Sequence, residues 1–222
     1  MQRIPEPELM DEFEQARAYA EADFSEPNER FVALFAEKFP GLSAGSMLDL
    51  GCGPGDIALR LARRYPGLDV HGLDGSGPML AFGQARLRDE PDLAERVRFL
   101  QGILPGAKLP LDAYDAIVSN SLLHHLHDPM VLWHAVLDHG APGAAVLVMD
   151  LFRPASTAAA HGIVEAYAGG EPDVLKQDFY NSLCAAFTRD EVREQLAACG
   201  LETLDISVVS DRHMVVAGRL PA

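Results

Sequence analysis

Residues 48–56 read LDLGCGPGD, the end of an apolar strand followed by a glycine-rich turn. The amphipathic stretch 57–65 comes next, and its spacing predicts a helix. Glycines in such a turn let the backbone approach a ligand closely, and the helix N-terminus beyond them favours a carboxylate or phosphate. In an open α/β sheet this turn lies at the carboxyl end of a strand, where nucleotide-like ligands bind.

Strands and helices alternate on both sides of the turn. Short apolar runs predict strands at 47–50, 68–74, 97–101, 114–120 and 144–151, and helical patterns lie between them at 57–65, 79–88 and 129–140. The near-continuous apolar run 144–151 is typical of a parallel strand that is buried on both faces. The alternation predicts an α/β fold with a doubly wound, mostly parallel sheet.

The ends of the chain extend this core, and we expect a single domain over residues 1–222. Residues 1–45 are predicted as an N-terminal helical cap, and residues 46–153 as the ligand-binding core. Residues 154–187 interrupt the alternation and are predicted as an ordered insertion that forms a lid. Residues 188–222 supply the last helix, which starts with a capping box, and the last strands.

The charge balance excludes several classes of partner. The chain has 18 Lys and Arg against 33 Asp and Glu, a net charge of −15 that would repel nucleic acid and leaves no basic stripe for anionic lipid. No apolar run approaches the roughly 18 residues that a membrane span needs, and no secretory segment is evident. Three cysteines without CxxC spacing indicate a reduced compartment, so we expect a cytoplasmic protein.

An acidic residue ends the strand that follows the glycine turn. Asp74 lies 23 residues after Gly51, the spacing at which an acidic side chain can accept both hydroxyls of a ribose. A nicotinamide or flavin Rossmann domain is the alternative for the same turn. Its GxGxxG pattern would need glycine at position 56, which is Asp56, and the chain contains no Tyr-x-x-x-Lys pair. An NAD(P)-dependent oxidoreductase is therefore a remote alternative.

Four segments together resemble the class I S-adenosylmethionine-dependent methyltransferases: LDLGCGPGD at 48–56, HGLD at 71–74, YDAIVSN at 114–120 and SLLHHLHDP at 121–129. The resemblance covers roughly residues 43–152 and, more loosely, the C-terminal strands. It implies a Rossmann-like sheet of seven strands in the order 3-2-1-4-5-7-6, with the last strand antiparallel. It also implies S-adenosyl-L-methionine as cofactor and S-adenosyl-L-homocysteine as product.

The resemblance also implies which residues bind the cofactor. Asp49 is expected to hold the methionine end of the cofactor and Asp74 its ribose, while the glycines pass beneath. Many members bind the adenine amino group with an acidic residue after the third strand, but Gln101-Gly102-Ile103 stand here, so backbone groups, Gln101 or Ile103 are expected to replace it. The expected cofactor-binding residues are Asp49, Gly51, Cys52, Gly53, Asp74, Gly75, Gln101, Gly102, Ile103 and Asn120.

Methyl transfer from a sulfonium is an in-line displacement, which gains most from alignment and from exclusion of water. A general base is optional, and His124 or His125, next to Asn120, is the candidate. The alternative is that the histidine pair only caps its loop and packs at the edge of the cofactor. No metal site is expected, because the spacing of His124, His125 and His127 does not place a third ligand in a suitable geometry.

The implied topology suggests acceptor-binding residues. Arg153 follows the fifth strand, and Arg212-His213 begin the last strand, so these residues would approach the same mouth. Two arginines there would recognise a carboxylate or phosphate, unless each pairs with a local acid. Four further residues of the cap and the insertion are expected to close over the acceptor: Tyr19, Asn28, Tyr180 and Asn181.

These patterns together predict methyl transfer to a small metabolite, with an anionic acceptor as the specific hypothesis. Neither nucleic acid nor membrane is expected as a partner, and the sequence does not predict an oligomeric state. Three alternatives stay open: an enzyme that modifies the cofactor itself, a non-catalytic cofactor sensor and a methyltransferase acting on protein. Fold alone does not distinguish them.

Overall fold

A seven-stranded sheet forms the centre of the computed structural model, which describes residues 1–222. The order is β3-β2-β1-β4-β5-β7-β6, and β7 alone runs antiparallel to its neighbours. The predicted class, strand order and antiparallel last strand are therefore confirmed. The strands are β1 (Ala44–Leu50), β2 (Gly67–Asp74), β3 (Val97–Gln101), β4 (Tyr114–Asn120), β5 (Gly140–Leu151), β6 (Asp205–Val208) and β7 (His213–Arg219).

Nine α-helices surround the sheet, and a single 3₁₀ turn covers Leu123–His125. The predicted capping box of the last helix is present, since Thr188 and Glu191 each accept a hydrogen bond from the backbone N–H of the other. None of the helices has both the length and the apolar character needed to cross a membrane. The helices are α1 (Phe13–Glu21), α2 (Ser25–Lys38), α3 (Asp56–Arg64), α4 (Gly77–Arg88), α5 (Pro91–Ala94), α6 (Met130–His139), α7 (Thr157–Ala168), α8 (Asp173–Ala185) and α9 (Arg189–Ala198).

The sheet separates two apolar cores. In β1, Met47 belongs to the core that includes residues of α2 and α3, whereas Leu48 and Leu50 belong to the core that includes residues of α6 and α9. Successive side chains of a strand point to opposite faces, so Asp49 lies on the same face as Met47, at the carboxyl end of the strand. The alternation therefore places a carboxylate among apolar residues at the edge of the glycine turn.

The N-terminal region differs from the predicted helical cap. Residues 1–12 are not helical, and the first helix begins at Phe13. Pro5 and Pro7 explain the difference, because a proline disfavours helical geometry at the residue before it and supplies no N–H group. We call residues 1–12 the N-terminal segment.

The insertion at 154–187 folds into α7 and α8, which pack on each other around a small third core. This helix pair contacts the N-terminal segment: Ser182 donates a hydrogen bond to Glu6, and the backbone N–H of Ile4 donates to the carbonyl of Cys184. The insertion therefore supports the N-terminal segment from the side.

Candidate functional site

A cavity of about 410 Å³ lies at the carboxyl ends of β1, β2 and β4. The N-terminal segment, α1 and the start of α2 close it on one side through residues between Glu8 and Asn28. Twelve of the predicted site residues line this cavity: Asp49, Gly51, Cys52, Gly53, Asp74, Gly75, Gly102, Ile103, Asn120, His125, Tyr19 and Asn28.

The glycine turn is held in place by backbone hydrogen bonds. The N–H groups of Gly51 and Cys52 both donate to the carbonyl of Leu73, at 2.8 and 3.0 Å. The backbone of Gly51 has φ +69°, and a Cβ atom there would lie 2.8 Å from the side chain of Leu122. Glycine is therefore required at position 51 by both conformation and space. Burial raises the pKa of the Cys52 thiol, so this group stays protonated.

Asp74 fixes the next part of the turn. One of its carboxylate oxygens accepts from the backbone N–H of Gly53, and the other accepts from the N–H of Ser76, both at 2.8 Å. Burial raises the pKa of Asp74, although these hydrogen bonds oppose the rise. The carboxylate also lines the cavity, where its remaining lone pairs can accept from ligand hydroxyls.

Asp49 is a deeply buried carboxylate in the wall of the cavity. It is 1% exposed, and its Oδ2 atom has no hydrogen-bond partner. Burial, together with the negative charge of Asp74, raises the pKa of Asp49 to about 8. Asn120 also presents a buried, unpartnered oxygen, Oδ1. Buried acceptors in proteins normally have partners, so these two oxygens fit a ligand that brings hydrogen-bond donors, above all a cation.

The far end of the cavity is apolar. Gly102, Ile103, Leu104 and Pro105 line it, and the Ile103 side chain is 60% exposed. Gln101 does not line the cavity, because its side-chain amide donates to the carbonyl of Gly75 at 3.3 Å. Gly102 and Ile103 therefore line the cavity where many family members have an adenine-binding acid. Gln101 instead holds the turn after β2 from outside the cavity.

The N-terminal helices contribute aromatic and amide side chains. Tyr19 lines the cavity and packs on Phe24 with ring centroids 4.7 Å apart, and burial raises the pKa of its hydroxyl to about 12. Asn28 is only 6% exposed. The Ser76 hydroxyl donates to the carbonyl of Met10, which ties the N-terminal segment to the loop after β2. These contacts place the N-terminal region over one side of the cavity.

The two adjacent histidines lie in different environments. His124 is 3% exposed and does not line the cavity; its Nδ1 lies 2.6 Å from a carboxylate oxygen of Asp150. Burial opposes protonation of His124, but the charge and hydrogen bond of Asp150 outweigh it and raise its pKa. His125 lines the cavity, and burial lowers its pKa to about 3, so its ring is neutral near pH 7.

Sequence reasoning missed two carboxylates of this region. Glu6 lies opposite both histidine rings, and burial raises its pKa. Asp150 is a charged residue next to the end of the apolar strand β5, and a charge in that position is a signal that the sequence did contain. Glu6 gave no such signal, because its position depends on a contact across more than 100 residues.

The structure does not bring the predicted acceptor-binding arginines to the cavity. β7 does begin beside the end of β5, with His213 opposite Leu151. Arg153, however, donates to the carboxylate of Glu191 at 2.6 Å and to the carbonyl of Ala186. Arg153 therefore pairs with an acid, but with one that lies 38 positions away in the sequence.

The other predicted acceptor residues also make local contacts. Arg212 lies over the ring of Tyr167, 3.3 Å from its centroid, and donates to Asp211. The remaining three are also absent from the cavity lining: Tyr180 stacks on His161, Asn181 accepts from Gln177, and His213 pairs with Ser210.

Comparison with known proteins agrees with this geometry. The profile of the methyltransferase-domain family matches residues 48–160, slightly more than half of the chain. An uncharacterized methyltransferase of Mycobacterium tuberculosis is 34% identical over 127 residues, which cover 57% of this chain and 60% of that protein. A trans-aconitate 2-methyltransferase of the same species is 36% identical over 134 residues, covering 58% of this chain and 45% of that protein.

A solved structure matches the whole fold. It is a protein of Methanococcus maripaludis described as an S-adenosyl-L-methionine-dependent methyltransferase, with a TM-score of 0.73, 18% identity and coverage of 99% of this chain and 98% of that one. The matches to the two mycobacterial relatives span only about 60% and 45% of those proteins' lengths. Fold, glycine turn and family match agree, and the chain therefore belongs to the methyltransferase-domain family.

Proposed function

We propose that this protein transfers the methyl group of S-adenosylmethionine to a small metabolite. The observation that carries the proposal is the buried, unpartnered carboxylate oxygen of Asp49 at the cavity wall. The methionine end of the cofactor bears an ammonium group, which would give this oxygen and Asn120 Oδ1 their missing donors. A nicotinamide dinucleotide has no such group for a buried acid at this position.

The other cofactor contacts follow from the lining of the cavity. The turn from Gly51 to Gly53 would pass beneath the methionine portion. Asp74 would accept from the ribose hydroxyls. Gly75, Gly102 and Ile103 would enclose the adenine, while Gln101 acts indirectly by holding the carbonyl of Gly75.

Alignment and exclusion of water are the main contributions of the chain to catalysis. Bound S-adenosylmethionine supplies an electrophilic methyl group on a sulfonium. Tyr19 and Asn28 close the cavity from the N-terminal side and would orient the acceptor. His125 is the histidine at the cavity, but a pKa of about 3 makes it a weak base, so we assign it to orientation of the acceptor by hydrogen bonding. His124 acts behind it as a positioning residue.

The acceptor proposed here is a small carboxylic acid. The similarity to trans-aconitate 2-methyltransferases supports an acid. Arg86, whose guanidinium donates to the carbonyls of Ala20 and Pro54, is the arginine that lines the cavity. The net charge of −15 favours a small acceptor over nucleic acid. Arg153 and Arg212 have no part in this proposal, because neither lines the cavity.

Thermal unfolding with different ligands tests the cofactor. S-adenosylmethionine and S-adenosylhomocysteine at 100 times the dissociation constant should each stabilise the protein by about 2.7 kcal/mol, whereas NAD and NADP should not. Stabilisation by NAD or NADP alone would contradict the proposal.

Turnover assays then test the reaction. Release of S-adenosylhomocysteine should depend on an added acceptor, with trans-aconitate and other small di- and tricarboxylates compared with their uncharged esters. Loss of the cofactor without any acceptor would indicate an enzyme that modifies the cofactor. Tight binding of S-adenosylhomocysteine without turnover on the whole panel would indicate a sensor.

A further inference from the structure

Three side chains meet beneath the N-terminal segment: Glu6, His124 and His125. Glu6 Oε1 lies 3.6 Å from His124 Nε2 and 3.3 Å from His125 Nδ1. Both distances exceed the usual range of about 2.7–3.2 Å for an N–H···O hydrogen bond. One carboxylate oxygen therefore faces two imidazole nitrogens without bonding either, and His125 Nδ1 is buried with no partner at all.

The same distances suit ligands of a shared metal ion. Zinc binds imidazole nitrogen and carboxylate oxygen at about 2.0–2.1 Å, so two ligand atoms of a tetrahedral site lie roughly 3.4 Å apart. The separations of 3.3 and 3.6 Å bracket this value, and the three ligand atoms all lie within 4.8 Å of one another. Two histidines and one glutamate are a ligand set that zinc uses where one position stays open.

Neighbouring groups orient two of the three ligands. The Nδ1 of His124 is engaged by Asp150 at 2.6 Å, which leaves Nε2 directed at Glu6. Asp150 is itself fixed, since its other oxygen accepts from the backbone N–H of Leu123 at 2.7 Å. A carboxylate on the far nitrogen of a ligating histidine is the usual outer support of a metal site. The Ser182 hydroxyl orients Glu6 by donating to its Oε1, the proposed ligand atom, at 3.1 Å.

The charges around the cluster also suit a cation. Glu6 and Asp150 bring two carboxylates, and Asp178 adds to the negative charge around Glu6. The positive charges nearby are His124 itself, when it is protonated, and Arg3, whose guanidinium donates to the carbonyls of Ala185, His124 and Leu126. A divalent ion bound to the neutral histidines would balance the two carboxylates.

We propose that Glu6, His124 and His125 bind a divalent transition-metal ion of the zinc type, with one coordination position left open. His125 also lines the cavity, so the site lies in the cavity wall. Glu6 belongs to the N-terminal segment and the histidines to the loop after β4, so the ion joins the cover of the cavity to the sheet. The site does not depend on the proposed methyl transfer.

Metal titration of the metal-stripped protein, purified without a polyhistidine tag, tests the site. We expect one equivalent of ZnCl₂ to bind in calorimetry, and one equivalent of CoCl₂ to give the visible absorption of a four-coordinate site that zinc then abolishes. Glu6→Gln and His125→Gln should each weaken both signals at least tenfold. His134→Gln is the matched control, because His134 is an exposed histidine of α6 and should leave them unchanged.

The same titration can overturn the proposal. Absence of stoichiometric binding would do so, and so would binding that Glu6→Gln and His125→Gln retain or that His134→Gln weakens equally. His124 is buried against Asp150, and its substitution would disturb the fold, so the test uses variants of the other two ligands. Circular dichroism checks that these variants are folded. Affinity for S-adenosylhomocysteine is measured in parallel, so that failure of the metal site remains distinguishable from failure of the proposed function.

Discussion

The Asp74 carboxylate accepts a hydrogen bond from the backbone N–H of Gly53 at 2.8 Å, which joins the end of β2 to the turn after β1. Its other oxygen accepts from Ser76 at the start of the next turn. The acid proposed to bind the ribose thus also shapes the turn proposed to pass beneath the methionine portion. Substitution of Asp74 is therefore expected to affect ligand affinity through both contacts.

Asp74→Asn should weaken binding of S-adenosylhomocysteine at least tenfold and cost about 1 kcal/mol of stability, because the amide NH₂ would face a backbone N–H group. Calorimetric titration and urea unfolding measure the two effects. Asp69→Asn is the control, since Asp69 is an exposed carboxylate of the same strand and should change neither. Wild-type affinity in Asp74→Asn would refute the assigned ribose contact.

Asp49 should make the stability of the ligand-free protein depend on pH. Burial and Asp74 raise its pKa in the folded state from 3.8 to about 8, so between these values the folded protein holds a proton that the unfolded chain has lost. The free energy of unfolding should therefore fall as pH rises through this window. Asp49→Asn removes this contribution and should be stabilising relative to wild type, by on the order of 4 kcal/mol more at pH 8 than at pH 5.

Urea unfolding of both proteins at several pH values measures this difference, with Asp69→Asn again as the exposed control. The same Asp49→Asn protein should bind S-adenosylmethionine much more weakly, because the ammonium loses its carboxylate. A stability difference that does not change with pH would show that Asp49 is ionised in the folded state.

Local sequence signals predicted the sheet and the cofactor side of the cavity. Asp49 and Asp74 lie at the carboxyl ends of their strands, and the glycine turn joins the first of these strands to a helix. Because the carboxyl ends of parallel strands meet at one edge of the sheet, the sequence predicts that these residues lie close together. Glu6 could not be placed in this way, because residues 1–12 have no regular structure and their path is set by contacts with residues more than 100 positions away.

The arginines show a different limit. Topology placed Arg153 and Arg212 near the end of β5, but it does not fix the direction of a long side chain. Arg153 turns to Glu191, which the capping box at Thr188 already holds, and Arg212 turns to an aromatic ring. Both arginines contact side chains that are distant in the sequence, and spacing alone could not select these partners.

Arg153→Met should lower the free energy of unfolding and leave the KM for the acceptor unchanged. Loss of its buried hydrogen bonds to Glu191 and to the carbonyl of Ala186 is expected to cost about 3 kcal/mol. Arg212→Met removes a contact with Tyr167 and should cost about 1 kcal/mol. Urea unfolding and the KM for the acceptor separate the two roles. A raised KM with unchanged stability in Arg153→Met would restore the arginine to the acceptor site.

Gly53→Ala should weaken cofactor binding without unfolding the protein. Gly53 has φ +52°, and no atom lies within 4 Å of an added Cβ, which would enter the cavity. Gly143 is a matched control. It has φ +76°, and no atom lies within 4 Å of an added Cβ there either. It precedes the buried part of β5 and does not line the cavity. Both alanine variants should lose about 1–2 kcal/mol of stability from backbone strain.

Only Gly53→Ala should weaken binding of S-adenosylhomocysteine, by at least tenfold, because only there does the methyl group occupy ligand space. Thermal unfolding measures the shared loss of stability, and calorimetry measures the difference in affinity. Equal affinities in the two variants would mean that the ligand does not pass over Gly53, and the assignment of the turn to the methionine portion would then fail.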